Sequence, residues 1–259
     1  MNMKKLITIL FLLISLIGFS QHHMMHTLAG QGGANTTLKI DLISIWEMDE
    51  TSGTTMFDSH GSNDGEISAT VTINQTGIIN KSYYFDATDD RIIVPHSSTL
   101  SPSGDMSFAA WVKGTTVDGA FIVIMNKDAV TSNRQFTFAI DNYKYPRLYF
   151  FSSSGYSGRL SNTKVMDGNW YYIVATYTAS NGLINFYVNG SLANGTQDAT
   201  TSGGMNSGTA DMWVGYRSYG SATRMYGNYD QLAIWNKLLS TDEISLLYNS
   251  GNGLPYSEW

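Results

Sequence analysis

Residues 170–190 read WYYIVATYTASNGLINFYVNG, two strands and the turn that joins them. The first run, 170–178, is aromatic and β-branched, a composition that suits a pleated surface. Side chains alternate along a strand, so Tyr172 and Val174 share one face and Tyr171, Ile173, Ala175 and Tyr177 the other. Both faces are apolar, which predicts a central strand covered on each side. Asn181-Gly182 supplies turn residues that tolerate positive φ. In the second run Ile184, Phe186 and Val188 point one way and Asn185, Tyr187 and Asn189 the other, the period of a half-buried strand. Asn189-Gly190 then reads as a second tight hairpin into 191–196. The segment predicts antiparallel sheet assembled from local hairpins.

Outward from this stretch the same signals recur. Strand patterns are expected at 38–48, 66–73, 82–85, 91–94, 106–113, 120–126, 135–140, 147–151, 211–215 and 228–235, separated by turn residues such as Asp89-Asp90, Ser103-Gly104, Asn142 and Ser154-Gly155. Many short, evenly spaced strands imply a sandwich or barrel. One helix is expected. Ser240-Thr-Asp-Glu243 is a capping box, in which the Ser240 hydroxyl and the Glu243 carboxylate each take a backbone N–H. Ile244, Leu247 and Tyr248 give it an apolar face, and Asn249-Ser-Gly251 stops it.

The chain has 259 residues, enough for one large all-β domain. With 14% charged, 42% hydrophobic and 13% aromatic residues it has the composition of a globular protein. Its start, MNMKKLITILFLLISLIGFSQ, has the form of a secretory signal peptide: Lys4 and Lys5, an apolar run over 6–17, and small Gly18 and Ser20 ahead of a cut before Gln21. The apolar run is too short for a comfortable membrane span. We therefore expect residues 1–20 to be removed, a leader over 21–37, one domain over 38–250 and a tail over 251–259. The expected location is secreted, periplasmic or cell-surface, with no membrane insertion after cleavage. Losing Lys4 and Lys5 leaves 13 of the 15 basic residues against 21 acidic ones, a net charge of −8. That balance disfavours nucleic acid as a partner. No cysteine occurs, so no disulfide braces an exported chain.

Seven motifs, in order, resemble LamG-like jelly-roll domains of the concanavalin A-like lectin/glucanase group. They are Ile45-Trp-Glu-Met-Asp-Glu-Thr-Ser-Gly53; Asp58-Ser-His-Gly61 with Gly65; Ser82-Tyr-Tyr-Phe-Asp-Ala-Thr-Asp-Asp-Arg-Ile92, with Ala87 where the family prefers Gly; Met106-Ser-Phe-Ala-Ala-Trp-Val-Lys113; Asp167-Gly-Asn-Trp170; the 170–190 block itself; and 228–244, NYDQLAIWNKLLSTDEI. The resemblance implies an all-β fold, a two-sheet antiparallel jelly-roll sandwich with one short C-terminal helix. It also implies an exported module that binds carbohydrate, or another cell-surface ligand such as a protein, through its concave face or rim loops.

Retaining glycosidases of that group carry E-x-D-x-x-E, because a nucleophile and an acid must sit about 5 Å apart. Glu47-Met-Asp49 begins the pattern, but Ser52 stands in its third acidic place. A non-catalytic module is therefore the expectation. A glycoside hydrolase or lyase of the same fold, and a structural adhesion subunit without a saccharide ligand, are the alternatives. The resemblance further implies a structural calcium where the opening and closing segments meet. Asp230 would contribute to it, and Asp49, Asp58, Asp86 and Asp89/Asp90 come from loops or strand ends that could approach it, set against solvated turn aspartates. For the ligand, aromatic faces stack on sugar C–H groups, with polar neighbours adding hydrogen bonds. The candidates are Tyr143, Tyr145, Tyr149, Tyr187, Tyr216 and Tyr219 with Arg147 and Asn185, then Tyr156 and Tyr226.

Overall fold

The computed structural model describes residues 37–259 apart from 69, 87, 88, 119, 120, 130–132 and 218–223. The expected signal peptide and nearly all of the expected leader lie outside the described residues. The first half of the chain forms β1 (Leu42–Trp46), β2 (Thr55–Met56), β3 (Gly65–Ile67), β4 (Thr72–Thr76), β5 (Lys81–Phe85), β6 (Ile92–Val94), β7 (Met106–Asp118) and β8 (Phe121–Asp128). The second half adds β9 (Arg134–Asp141), β10 (Pro146–Ser152), β11 (Gly155–Ser161), β12 (Trp170–Thr178), β13 (Leu183–Val188), β14 (Ser191–Leu192), β15 (Asn194–Ala199), β16 (Met212–Val214) and β17 (Arg224–Trp235). The helix α1 (Thr241–Tyr248) follows.

These strands make two antiparallel sheets. One has eight strands in the order β14-β13-β12-β7-β17-β5-β4, with β1 also on β17; the other has nine, β15-β11-β10-β9-β8-β16-β6-β3-β2. Strand β12 lies between β7 and β13, with Tyr172 opposite Trp111 and Tyr177 opposite Ile184. Its two apolar faces both find cover, as the sequence predicts. Ile173, Ala175 and Tyr177 join Phe136, Phe138 and Phe150 in the core between the sheets. Tyr177 stacks on Phe150 with ring centroids 3.7 Å apart, and Phe108 lies 4.7 Å from Phe136.

Tyr172 and Val174 face the other way, into a second core with Trp111 and Trp235. That core is closed by Ile244 and Leu247 of α1, by Leu254 and Trp259 beyond it, and by Leu38 before β1. The capping box forms: Ser240 Oγ accepts from Glu243 N and Glu243 Oε2 accepts from Ser240 N. Asn249 ends the helix at φ 47°. The last residues are a packed lid, with Trp259 only 1% exposed and stacked 5.5 Å from Trp235.

Two local expectations are corrected. The hairpin at Asn189-Gly190 forms, but its returning strand is the two-residue β14. The chain then crosses to the other sheet, where β15 pairs with β11. Asn194 holds the crossing: its Oδ1 accepts from Phe186 N and its Nδ2 donates to Asn185 Oδ1. Strand β11 itself is not apparent from GYSGRLS, because glycine and serine are poor strand formers. Six paired residues on β10 make it a strand nonetheless.

Candidate functional site

The outer face of the nine-stranded sheet follows from the inner one. On β10, Leu148 and Phe150 enter the core, so Arg147, Tyr149 and Phe151 face outward. Cross-strand partners extend the row: Ile93 pairs with Trp213, Trp213 with Asn126, Asn126 with Thr137, Thr137 with Tyr149 and Tyr149 with Gly158. No helix covers this face among the described residues, whereas α1 covers the other sheet.

A groove of about 350 Å³ opens here, lined by Phe121, Arg134, Tyr149, Phe151, Tyr156 and Arg217. Three local devices shape it. The first is a bulge. Lys127 pairs with Phe136, but Asp128 pairs with Arg134, which leaves Gln135 as the extra residue. Arg134 is thereby set over Phe151, its guanidinium 3.9 Å from the ring centroid. Asp128, fully buried in its side chain, accepts from Arg134 Nε at 2.9 Å and from Nη2 at 3.0 Å. The second device is Gly158. A Cβ there would lie 3.2 Å from two carbons of the Tyr149 ring, so the glycine lets the ring lie low on the sheet. The third is a run of cation–ring contacts: Arg147 lies 4.3 Å from the Tyr149 centroid and pairs with Asp198, and Arg217 lies 5.2 Å from Phe121. Tyr149, Phe151 and Tyr156 form one aromatic cluster with centroids 6.0–6.4 Å apart. Burial pushes the Tyr149 phenol up, with Arg147 acting against it.

The expected ligand residues separate. Arg147 and Tyr149 stand on this face, with Tyr156 beside them. Tyr216 lies next to it, its ring 5.8 Å from Trp213. Tyr143 and Tyr145 occupy the β9–β10 turn, where Asp141 Oδ1 accepts from both backbone N–H groups. Tyr143 is exposed, and Tyr145 lies under Lys164. Asn185 and Tyr187 belong to β13 of the other sheet, where Tyr187 packs against the second core. Tyr226 is on β17, opposite Thr116. Tyr219 lies outside the described residues. Phe121, Arg134, Phe151 and Arg217 are absent from the sequence-based candidates. The alternation Arg147-x-Tyr149-x-Phe151 is the one signal in the sequence that points to any of them.

The metal candidates also separate. Asp230 is completely buried at the start of a bulge in β17, opposite Trp111. Its Oδ2 accepts from Ile78 N at 2.8 Å and Ile79 N at 3.0 Å, while Oδ1 meets no donor. Asp49 serves the same turn, accepting from Lys81 N and Asn80 Nδ2. Burial, reinforced by Asp49, raises the Asp230 carboxyl from 3.8 to about 8. Asp86 is in another loop, its N–H donating to Asp90. Among the described residues no three His, Cys, Asp or Glu side chains form a metal cluster. Asp230 and Asp49 by themselves offer too few oxygens for calcium, which takes six to eight. They are two carboxylates from distant segments, with one buried oxygen unmet, and further oxygens would have to come from backbone carbonyls or water. Asp58 spends its carboxylate on the backbone N–H groups of Ile45, His60, Gly61 and Asn63.

A sequence profile described as the Concanavalin A-like lectin/glucanases superfamily matches residues 86–245. No curated protein matches the sequence. Solved structures with the same fold include the binding domain of Paraclostridial Mosquitocidal Protein 1, at TM-score 0.62 and 14% identity over 83% of this chain and 53% of that one. The Botulinum neurotoxin serotype D ligand binding domain, solved in complex with N-acetylneuraminic acid, matches at TM-score 0.61 and 15% identity over 84% and 52%. Domain 4 of AbnA, an extracellular arabinanase from Geobacillus stearothermophilus solved in complex with arabinotriose, matches at 0.59 and 17% over 79% and 97%. At such identities the likeness is one of fold, and the chain spans about half the length of the first two.

Proposed function

The chain belongs to the Concanavalin A-like lectin/glucanases superfamily, and from that premise we propose that it is an exported, non-catalytic module that binds a glycan on the outer face of its nine-stranded sheet. The observation that carries this reading is the groove of about 350 Å³ with four aromatic side chains, Phe121, Tyr149, Phe151 and Tyr156, in its lining. Its size lies within the usual range of small-ligand pockets, about 300–1,000 Å³. Aromatic rings give a sugar an apolar surface, while Arg134 and Arg217 in the lining supply polar neighbours. The nearby carboxylates Asp128 and Asp198 are each engaged by an arginine, an arrangement that supports binding over hydrolysis. Fold neighbours solved with arabinotriose and N-acetylneuraminic acid support the same reading. It carries with it a structural calcium at Asp230 and Asp49, remote in role from the groove.

The test is binding of the purified domain to a glycan array, with and without calcium, followed by calorimetry on each hit. Tyr149→Ala and Phe151→Ala should each weaken binding at least tenfold, about 1.4 kcal/mol, while Tyr187→Ala on the other sheet should not. Array binding that survives both groove substitutions would move the site elsewhere. Sugar release abolished by a single Asp or Glu substitution would make the protein an enzyme.

A further inference from the structure

Strands β9 and β10 stay paired only as far as Phe136 and Phe150. Beyond that point the bulge at Gln135 parts them, yet Arg134 and Phe151, which stand on either side of the gap, keep their guanidinium-to-ring contact of 3.9 Å. The gap is filled by the chain between β15 and β16. Asn206 bridges it: its N–H donates to Phe151 O at 3.0 Å and its Nδ2 to Arg134 O at 3.0 Å. Five residues earlier, Thr201 Oγ1 donates to Tyr156 O at 2.8 Å. Segment 201–206 thus holds the backbone carbonyls of three of the six residues that line the groove. Its other contacts reach the opposite sheet. Gly203 N donates to Ala179 O, just past β12, and the hydroxyl of Tyr177, on β12, lies 3.0 Å from Thr201 O and 2.7 Å from Gly203 O. The strap has little room to slide. A Cβ on Gly204 would lie 2.2 Å from Ser103 O, and Gln135 Nε2 donates to Asn206 O at 2.9 Å.

We propose that Asn206 and Thr201 are positioning residues of the groove, and that through them the Tyr177 hydroxyl, inside the sandwich, governs ligand affinity without touching the ligand. This rests on the groove being the glycan site and adds what sets its shape. None of the three residues belongs to the lining, so their influence on a ligand travels through the backbone of Arg134, Phe151 and Tyr156. Phe151 and Tyr156 face each other one pair from the β10–β11 turn, where a hairpin frays unless something holds it. Walls fixed before the ligand arrives lose less freedom on binding. Removing a strap donor leaves a carbonyl unpaired and frees the ring or guanidinium that it anchored.

The experiment compares Asn206→Ala, Thr201→Val, Thr201→Ser and Tyr177→Phe with the wild type, at a temperature where every variant is folded. Heteronuclear NMR of the ligand-free domain follows the Arg134 Nε–H resonance, which the Phe151 ring displaces. Calorimetry measures affinity for arabinotriose, sialyllactose and the tightest glycan from the array. Asn206→Ala should move the resonance away from its ring-shifted position. Asn206→Ala, Thr201→Val and Tyr177→Phe should each weaken binding about three- to tenfold, the range of one hydrogen bond. Thr201→Ser, which keeps the hydroxyl, should bind as the wild type does. Ser240→Ala, which lowers melting on the covered sheet, should change neither readout. Sugar binding that is equal in all the variants would overturn the inference while leaving the groove a glycan site. Affinity that falls in step with melting temperature, in Ser240→Ala and Thr201→Ser as much as in the others, would reduce the strap to a purely structural part and overturn it as well. Failure of every sugar to bind the wild type would remove the glycan reading and this inference together.

Discussion

Asp230 is where a single side chain shows most physics. Its Oδ2 pins the turn before β5 through two backbone N–H groups, and a Cβ on Gly77 would come within 2.6 Å of that oxygen. The carboxyl ionises near 3.8 when exposed and at about 8 when folded. Between those values the unfolded chain carries a charge that the folded chain does not. Stability contributed by this group is therefore full below about pH 4 and falls as pH rises through 8. In chelator, the melting temperature of the wild type should drop more steeply from pH 5 to pH 8 than that of Asp230→Asn, whose amide oxygen still accepts both N–H groups. Calcium requires the ionised form, so metal and proton compete. Millimolar calcium should raise the wild-type melting temperature more at pH 8 than at pH 5 and leave Asp230→Asn unmoved. Parallel pH curves for the two proteins would show that Asp230 is not the titrating group. A calcium shift that survives the substitution would place the metal elsewhere.

Among elements, α1 has an effect out of proportion to its length. Its eight residues cannot hold a helix in water by propensity alone. They are fixed by the capping box at one end, by Asn249 at the other and by burial of Ile244 and Leu247 against Trp111 and Trp235. Ser240→Ala removes a cap worth about 1 kcal/mol, which for a domain of this size means roughly 2–4 °C in melting temperature. Trp259→Ala should cost more, about 3 kcal/mol, because it takes away the ring stacked on Trp235. Neither should alter ligand affinity, since both lie on the covered sheet. By contrast Gly158→Ala, in β11, should leave melting nearly unchanged but weaken binding severalfold by lifting Tyr149. If all three variants lost stability and affinity together, the two faces would not be independent. The capping box and the 170–190 hairpin were legible in the sequence because both are local hydrogen-bonding patterns. Strand β11 was not, because its conformation comes from β10 and β15 and not from its own residues.

At the scale of the whole molecule, the sheets are stitched by pairings between distant segments, such as β1 with β17 and β5 with β17. Such topology folds slowly, in milliseconds to seconds, and the inter-sheet rings hold it afterwards. Phe150→Ala removes the ring 3.7 Å from Tyr177 of the opposite sheet. We expect a loss of about 3–5 kcal/mol in denaturant unfolding with an unchanged circular dichroism spectrum. A loss below about 1 kcal/mol would mean that the stack contributes little. The sequence by itself determined the all-β class, the two-sided burial of β12, the terminal helix with its caps and the likeness to a family. Each of these is written in period and spacing, which the chain carries locally. Only the tertiary structure decided which of the candidate residues share a face. It set Arg147 and Tyr149 beside Phe121, Arg134, Phe151 and Arg217, sent Asn185 and Tyr187 to the other sheet, and parted Asp86 from Asp230 and Asp49. Strand alternation names two faces but does not say which one a helix will cover, and a bulge at Gln135 changes the facing of Arg134 without any mark in the hydrophobic pattern.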